Sequence, residues 1–337
     1  MGYKSMAVLL HKGFGKHMRT TFLLLSGYLL CEKRLGKHYY IKIIRVLILY
    51  ILSSCICIFF KALVLKMPMN GLKPVLRILD YSGAQYAWYV NMYIGLFLII
   101  PFLNILWNSC TDRQRKLLVI ISLVLTTVPA TLNIFNFEYN DGFPDLYFWA
   151  NSRINTYNVI VPDYWKGNYA ILYFIVGAYL KKYRKEVVKT KWLLLFFTLD
   201  ILGFGSLLFI RNIYSVFITT DPLVGWQNVF TVSSAVLLFE IIYRVNMKKW
   251  PCCIKKGLTL ISQRSFTMFL ISYITDKLIY ARLVEITMNV LNRVWLIPIA
   301  VISVCVISFL LASPVELIGN KVYLFIKKRL EANDELV

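Results

Sequence analysis

Eight apolar runs set the limits on what this chain can fold into. They fall at roughly 43–65, 88–107, 117–137, 166–181, 192–211, 224–243, 265–283 and 294–313. Most are close to the ~20 residues that a helix needs to cross the hydrocarbon core of a bilayer. A shorter ninth run, at about 18–31, holds "TTFLLLSGYLLCEKR", Thr20 to Arg34. Its uncharged part, Thr20 to Leu30, is only eleven residues long and is interrupted by Ser26-Gly27-Tyr28. Composition agrees with the runs: 58% of residues are hydrophobic and 16% charged, against about 25% charged in soluble domains. The chain therefore reads as an all-α polytopic integral membrane protein with about nine transmembrane helices.

The net charge of +21 would suggest nucleic acid in a soluble protein. Its distribution excludes that reading. Arg34, Lys37, Lys42 and Arg45 follow the ninth run, and Arg113, Arg115 and Lys116 fill a later connection. Further basic groups occupy 181–191 and 244–264, and Lys321, Lys327, Lys328 and Arg329 lie near the C-terminus. Among the connections between these, 138–165 is poor in Lys and Arg: it holds four acids and one Arg, Arg153. The positive-inside rule makes the basic connections and the C-terminus cytoplasmic. It also places residues 1–19 outside, with Lys4, Lys12, Lys16 and Arg19. That segment reads as an irregular N-terminal remnant, where an inside-starting helix is expected to deliver the chain.

Seven cysteines form no Cys-x-x-Cys pair, and the only histidines are His11, His17 and His38. No region supplies a cluster of metal ligands, so no metal site and no resident cofactor are expected.

The ninth run resembles the second-helix signature of the acyltransferase 3 family, the membrane O-acyltransferases of bacterial cell-surface glycans. The family commonly shows an aromatic-rich run ending in Ser-Gly-Phe/Tyr-Leu; here it reads Phe22 to Leu30 with Ser26-Gly27-Tyr28-Leu29. "YYIKIIRVLILY" resembles the basic motif of the next helix, with Lys42 and Arg45 three apart on one face. "AWYVNMYIGLFLIIPFLN", "VPDYWKGNYAILYFIVGAYLKKY" and "RSFTMFLISYITDKLIY" resemble later segments and follow in the same order, over about 20–325. Leu49 stands near a position where the family often has proline, and Ser272 near one where many members have His. The family's first helix carries an Arg and, ten residues on, a His thought to be the catalytic base. No such helix is seen here, so the expected layout is the ten-helix family pattern minus the first. The parts are a 1–19 remnant, a 20–325 acyltransferase 3-like membrane domain and a 326–337 cytoplasmic tail.

The resemblance implies transfer of an acyl group, most simply acetyl, from cytoplasmic acyl-CoA to a hydroxyl of an extracytoplasmic polysaccharide. The protein would be a multi-pass protein of the bacterial plasma membrane with lipids as neighbours. Such chemistry needs a base for the hydroxyl proton, donor or cationic groups for the acyl donor, and exclusion of water. Lys42 and Arg45 are candidates for the anionic donor or, alternatively, topology-setting charge. Ser26, Gly27 and Tyr28 read either as the inner end of a donor channel or as helix packing. Trp88, Tyr89, Asn91 and Tyr93 read as interface anchors or as acceptor contacts, and the aromatic-rich 138–165 shares that pair of readings. Asp200 and Asp276 are costly acids within apolar runs, with structural or proton-transfer roles. Glu240 and Arg244 form an i,i+4 pair. His11 is a displaced-base candidate.

Two other classes compete. A glycan-lipid transporter would show paired repeats with broken helices, and no such halves are found. A catalytically inactive relative fits the unseen first helix.

Overall fold

The computed structural model describes residues 20–135, 160–185, 188–214, 222–286 and 290–332. Among these residues all regular structure is helical. Ten α-helices follow one another: α1 Thr20–Leu30, α2 Lys37–Leu63, α3 Lys73–Leu79, α4 Trp88–Ser109, α5 Asp112–Leu132, α6 Tyr169–Tyr183, α7 Thr190–Tyr214, α8 Val229–Tyr243, α9 Cys252–Ile286 and α10 Val290–Ala332. Stretches of α2, α4, α5, α7 and α10 are long and apolar enough to cross a membrane; α1 and α8 are apolar but shorter.

Each apolar run read from sequence is centred on a helix. α9 and α10 extend well beyond their runs, because flanking Lys, Arg, Glu and Leu favour helix even where the segment turns polar. Helix ends follow local chemistry. Thr111 and Gln114 form a reciprocal capping box at the start of α5, which satisfies two otherwise orphan donors. Asn228 caps α8 by accepting from the Thr231 N–H at 2.8 Å. Pro101, Pro129, Pro298 and Pro314 lie inside helices, a placement that membrane helices tolerate.

The chain divides into two compact units. The first comprises residues 1–33 and 100–246, the second 34–99 and 247–337; one of the three boundaries falls within α4.

In the first unit α1, α6 and α8 run parallel. Tyr173, early in α6, donates to the Trp226 carbonyl ahead of α8 (2.8 Å), and Arg184, just after α6, reaches Glu240 near the end of α8 (2.9 Å). Lys181 pairs with Glu32, just after α1, at 2.9 Å. α7 is antiparallel to α8, as Asp200 meets Ser233 and Phe204 meets Phe230. One core patch gathers Ile134, Phe135, Phe204, Leu208 and Leu223.

In the second unit the core includes Tyr50, Cys57 and Phe60 of α2, Ala87 and Val90 around the start of α4, Leu270, Ile271, Tyr273 and Ile274 of α9, and Ala312 and Val315 of α10. Tyr39, at the other end of α2, donates to the Phe97 carbonyl (2.7 Å), so α2 and α4 are antiparallel. Thr267 bonds Glu316 and Thr275 bonds Ser308, so α9 and α10 are antiparallel too. The outward faces of the long helices are apolar: Phe59, Phe102, Leu199, Ile302 and Leu310 are all more than half exposed. Water would penalise such faces and hydrocarbon does not.

Candidate functional site

The Ser-Gly-Tyr interruption in α1 has a geometric explanation. Ser26 Oγ donates to the Phe22 carbonyl one turn back (3.0 Å). A Cβ on Gly27 would lie 2.1 Å from the Phe174 carbonyl oxygen, and one on Gly177 would lie 2.1 Å from that of Leu24. The reciprocity follows from the parallel pairing: Cβ bonds tilt toward the N-terminus on both helices, so each meets the other's preceding turn. The two glycines thus allow α1 and α6 to cross backbone to backbone.

Tyr28 then packs at the ends of three helices. Its ring centroid lies 5.1 Å from Phe239 and 5.8 Å from Tyr243. The Arg184 guanidinium stands 3.7 Å from the Tyr243 centroid. Arg184 Nε approaches both Glu240 oxygens at 2.9 and 3.1 Å, and Arg244 Nη2 lies 3.6 Å from the same carboxylate. All three charged side chains are only 11–12% exposed. Two guanidinium groups around one carboxylate leave a positive, aromatic-lined cluster beside the family-like motif. The i,i+4 pair read from sequence is therefore the weaker half of a triad, and Arg184 is the partner that sequence spacing could not identify.

Asp200 sits between α7 and α8. It accepts hydroxyl hydrogen bonds from Ser233 (2.5 Å) and Ser234. These bonds offset part of the cost of a carboxylate in an apolar helix.

The second unit holds the remaining candidates. Lys42 is exposed. Arg45 bridges to α10: its Nε donates to Asn320 Oδ1 at 2.9 Å and its Nη2 to Glu316 Oε2 at 3.1 Å. Thr267 of α9 donates to the other Glu316 oxygen at 2.6 Å. Glu316 is 4% exposed, whereas 42% of the Arg45 side chain remains accessible.

Asp276 belongs to a different cluster of that unit. Tyr86, two residues before α4, donates its hydroxyl to Asp276 Oδ2 at 2.5 Å. The Tyr86 ring stacks on Phe269 (5.3 Å), Phe269 meets Tyr89 edge-on (5.9 Å), and Tyr89 stacks on Tyr93 (6.3 Å). Phe97 continues the series at 6.0 Å and stacks on Tyr39. Tyr89, Tyr93 and Phe97 follow at i,i+4 spacing, so they share one face of α4. Tyr86, Tyr89, Tyr93, Phe269 and Asp276 are all half-buried. Trp88 packs edge-on against Tyr89 (6.0 Å), and Asn91 is exposed.

The structure thus brings Asp276, Tyr89 and Tyr93 into one aromatic series, while Arg45 belongs to a separate buried network. Ser26, Gly27, Tyr28 and Asp200 belong to the first unit. His11 and most of 138–165 lie outside the described residues. Sequence reading missed Tyr86, Phe269 and Glu316. Tyr86 directly precedes the motif that begins at Ala87. Glu316 lies just beyond the apolar run that ended at 313, where an acid flanked by apolar residues was the available signal. An acid held by a tyrosine hydroxyl beside half-exposed aromatic rings can take a proton from a hydroxyl that packs on those rings.

A family model described as an acyltransferase domain, the acyltransferase 3 model, matches residues 6–313. No curated protein and no solved structure matches the chain.

Proposed function

The chain belongs to the acyltransferase 3 family, and on that premise we propose that it carries an acyl group, most simply acetyl, from cytoplasmic acyl-CoA to a hydroxyl of an extracytoplasmic polysaccharide. It is a membrane acyltransferase at the level of the family; the donor, the acyl chain, the acceptor and the bacterial plasma membrane are the proposed part. The family match over residues 6–313 is the observation that carries the reading.

In the reaction the acceptor oxygen attacks the thioester carbonyl carbon, its proton passes to a base, and the carbon–sulfur bond breaks to release CoA. Asp276, held by Tyr86, is the base we assign, with Tyr89, Tyr93 and Phe269 as the sugar-facing surface. Sugars favour such surfaces because their C–H faces pack on aromatic rings while side chains bond the hydroxyls. Asp200 and His11 remain the other candidate bases. Lys42 and Arg45 are the cationic groups for the donor's phosphates.

The proposed topology places the basic connections and the C-terminus in the cytoplasm with about nine spans. The helix senses support it: α1, α6 and α8 must all run inward under that scheme, and they are parallel; α2 and α4 must oppose, and they do.

Loss of the gene should abolish glycan O-acylation, read by NMR of the isolated polysaccharide, and the intact gene should restore it. Unchanged O-acylation in the deletion strain would refute the reading.

A further inference from the structure

Residues 64–83 between α2 and α4 form a short excursion that is fixed on one side and open on the other. Positive backbone φ values at Lys66 (51°), Gly71 (63°) and Tyr81 (60°) give it sharp reversals. Buried Lys61, at the end of α2, donates to the Ser82 and Gly83 carbonyls at 2.8 and 2.7 Å. Tyr50 donates to the Ile78 carbonyl and stacks on Tyr81. The Gly83 N–H returns to the Arg77 carbonyl at 2.7 Å. Ile78 packs on the core of the second unit. α3 is thereby held against the bundle by one side.

Its other side is exposed. Leu72, Val75, Leu76 and Leu79 are 74%, 53%, 56% and 68% exposed. At about 100° per residue these four positions cover an arc of about 100°. Lys73 flanks that arc and is exposed, while Pro74, Arg77 and Ile78, all partly buried, lie on the side toward the bundle. The excursion carries Lys66, Lys73 and Arg77 against one acid, Asp80. The hydroxyl and N–H of Ser82 hold the Asp80 carboxyl below the usual carboxylate range, so it stays ionised and leaves a net charge of +2. On the last turns of α2 and just after it, Phe59, Leu63 and Val64 are likewise 66%, 62% and 55% exposed.

We propose that α3 is a pre-docked interfacial helix that binds an anionic lipid surface. Leu72, Val75, Leu76 and Leu79 enter the acyl-chain boundary, and Lys66 and Lys73 hold lipid phosphates. This is the arrangement of an amphipathic helix lying in the plane of the interface. The occupant is set by two features: the exposed arc is apolar and is joined by a short connection to a helix apolar enough to span, and its flank carries the exposed Lys73. Because the inner side is already fixed by Lys61 and Tyr50, the helix needs no lipid to form. The inference rests on the membrane reading of the chain and is independent of the acyl-transfer reading.

The test is photo-crosslinking of the full chain in nanodiscs of mixed phosphatidylcholine and phosphatidylglycerol, with benzoylphenylalanine replacing Leu76. A second variant replaces Phe59 as a positive control for lipid contact. The expected product is a lipid adduct on the peptide containing position 76, enriched in phosphatidylglycerol over its mole fraction. Lys66→Gln with Lys73→Gln should keep the adduct and cut the enrichment by up to roughly thirtyfold, the combined effect of about 1 kcal/mol for each of two basic residues. A lipid adduct at position 59 with none at position 76 overturns the docking. An adduct at position 76 to another copy of the chain overturns it in favour of self-association. Equal capture of both lipids, unchanged by the two substitutions, overturns the anionic preference. None of these outcomes depends on whether the protein transfers acyl groups.

Discussion

Arg45 and Glu316, 271 residues apart in the chain, meet at 3.1 Å and tie α2 to α10. The acid is buried and also accepts from Thr267 of α9, so three helices share one carboxylate. Removing one partner of a buried pair costs about 3–5 kcal/mol, and the exposure of Arg45 reduces that to about 1–2 kcal/mol. A double-mutant cycle with Arg45→Gln and Glu316→Gln, read by thermal unfolding in detergent, should give a coupling near 1 kcal/mol. Strict additivity would show that the contact carries no energy.

Gly27→Ala and Gly177→Ala each insert a carbon where a carbonyl oxygen stands 2.1 Å away. The obstruction is backbone, so the helices must separate. Each change should cost about 1–3 kcal/mol, and the double variant less than the sum, because one separation accommodates both carbons. Gly36→Ala, with open space around it, is the control. Equal melting temperatures for all three variants would remove the crossing as an explanation of the motif.

Asp276→Asn preserves size while removing the base. Acyl transfer to polysaccharide should fall about 10²–10⁴-fold with little change in melting temperature. Tyr86→Phe should fall less, since it removes one hydrogen bond to the acid and retains the ring against Phe269. If Asp276→Asn keeps full turnover and Asp200→Asn does not, the base belongs in the first unit.

Cys252 and Cys253 are exposed at the start of α9, beside the basic stretch, whereas Cys31 is buried after α1. With the proposed topology, a membrane-impermeant maleimide should label the former pair only after the cytoplasmic side is opened. Cys31 should stay slow on either side. Labelling of Cys252 or Cys253 in sealed cells would reverse the orientation.

What could be read in advance follows from range. Apolar runs and basic clusters are properties of contiguous sequence, so the helices and their order were legible from residues such as Arg34, Arg113 and Lys181. The short α3 had its own local mark, Pro74 in the first turn, which is too small a signal beside 20-residue runs. Pairings across the chain were not legible. Nothing near Glu316 announces Arg45, and nothing near Asp276 announces Tyr86, because periodicity within one helix carries no information about its neighbour. Gly27 shows the same limit: the residue was noticed, while its counterpart Gly177 became meaningful only once α6 lay against it.

The paired glycines also set a longitudinal register. With no side chain on either helix at the crossing, α1 can seat against α6 at one height only, and every residue beyond inherits its rotation from that point. Inserting a single alanine between Gly27 and Tyr28 would turn Tyr28 by about 100° and advance it by about 1.5 Å, away from Phe239 and Tyr243. Segment length in α1 is therefore far less tolerant of change than residue type, and a one-residue insertion there should be more damaging than most substitutions along the same helix.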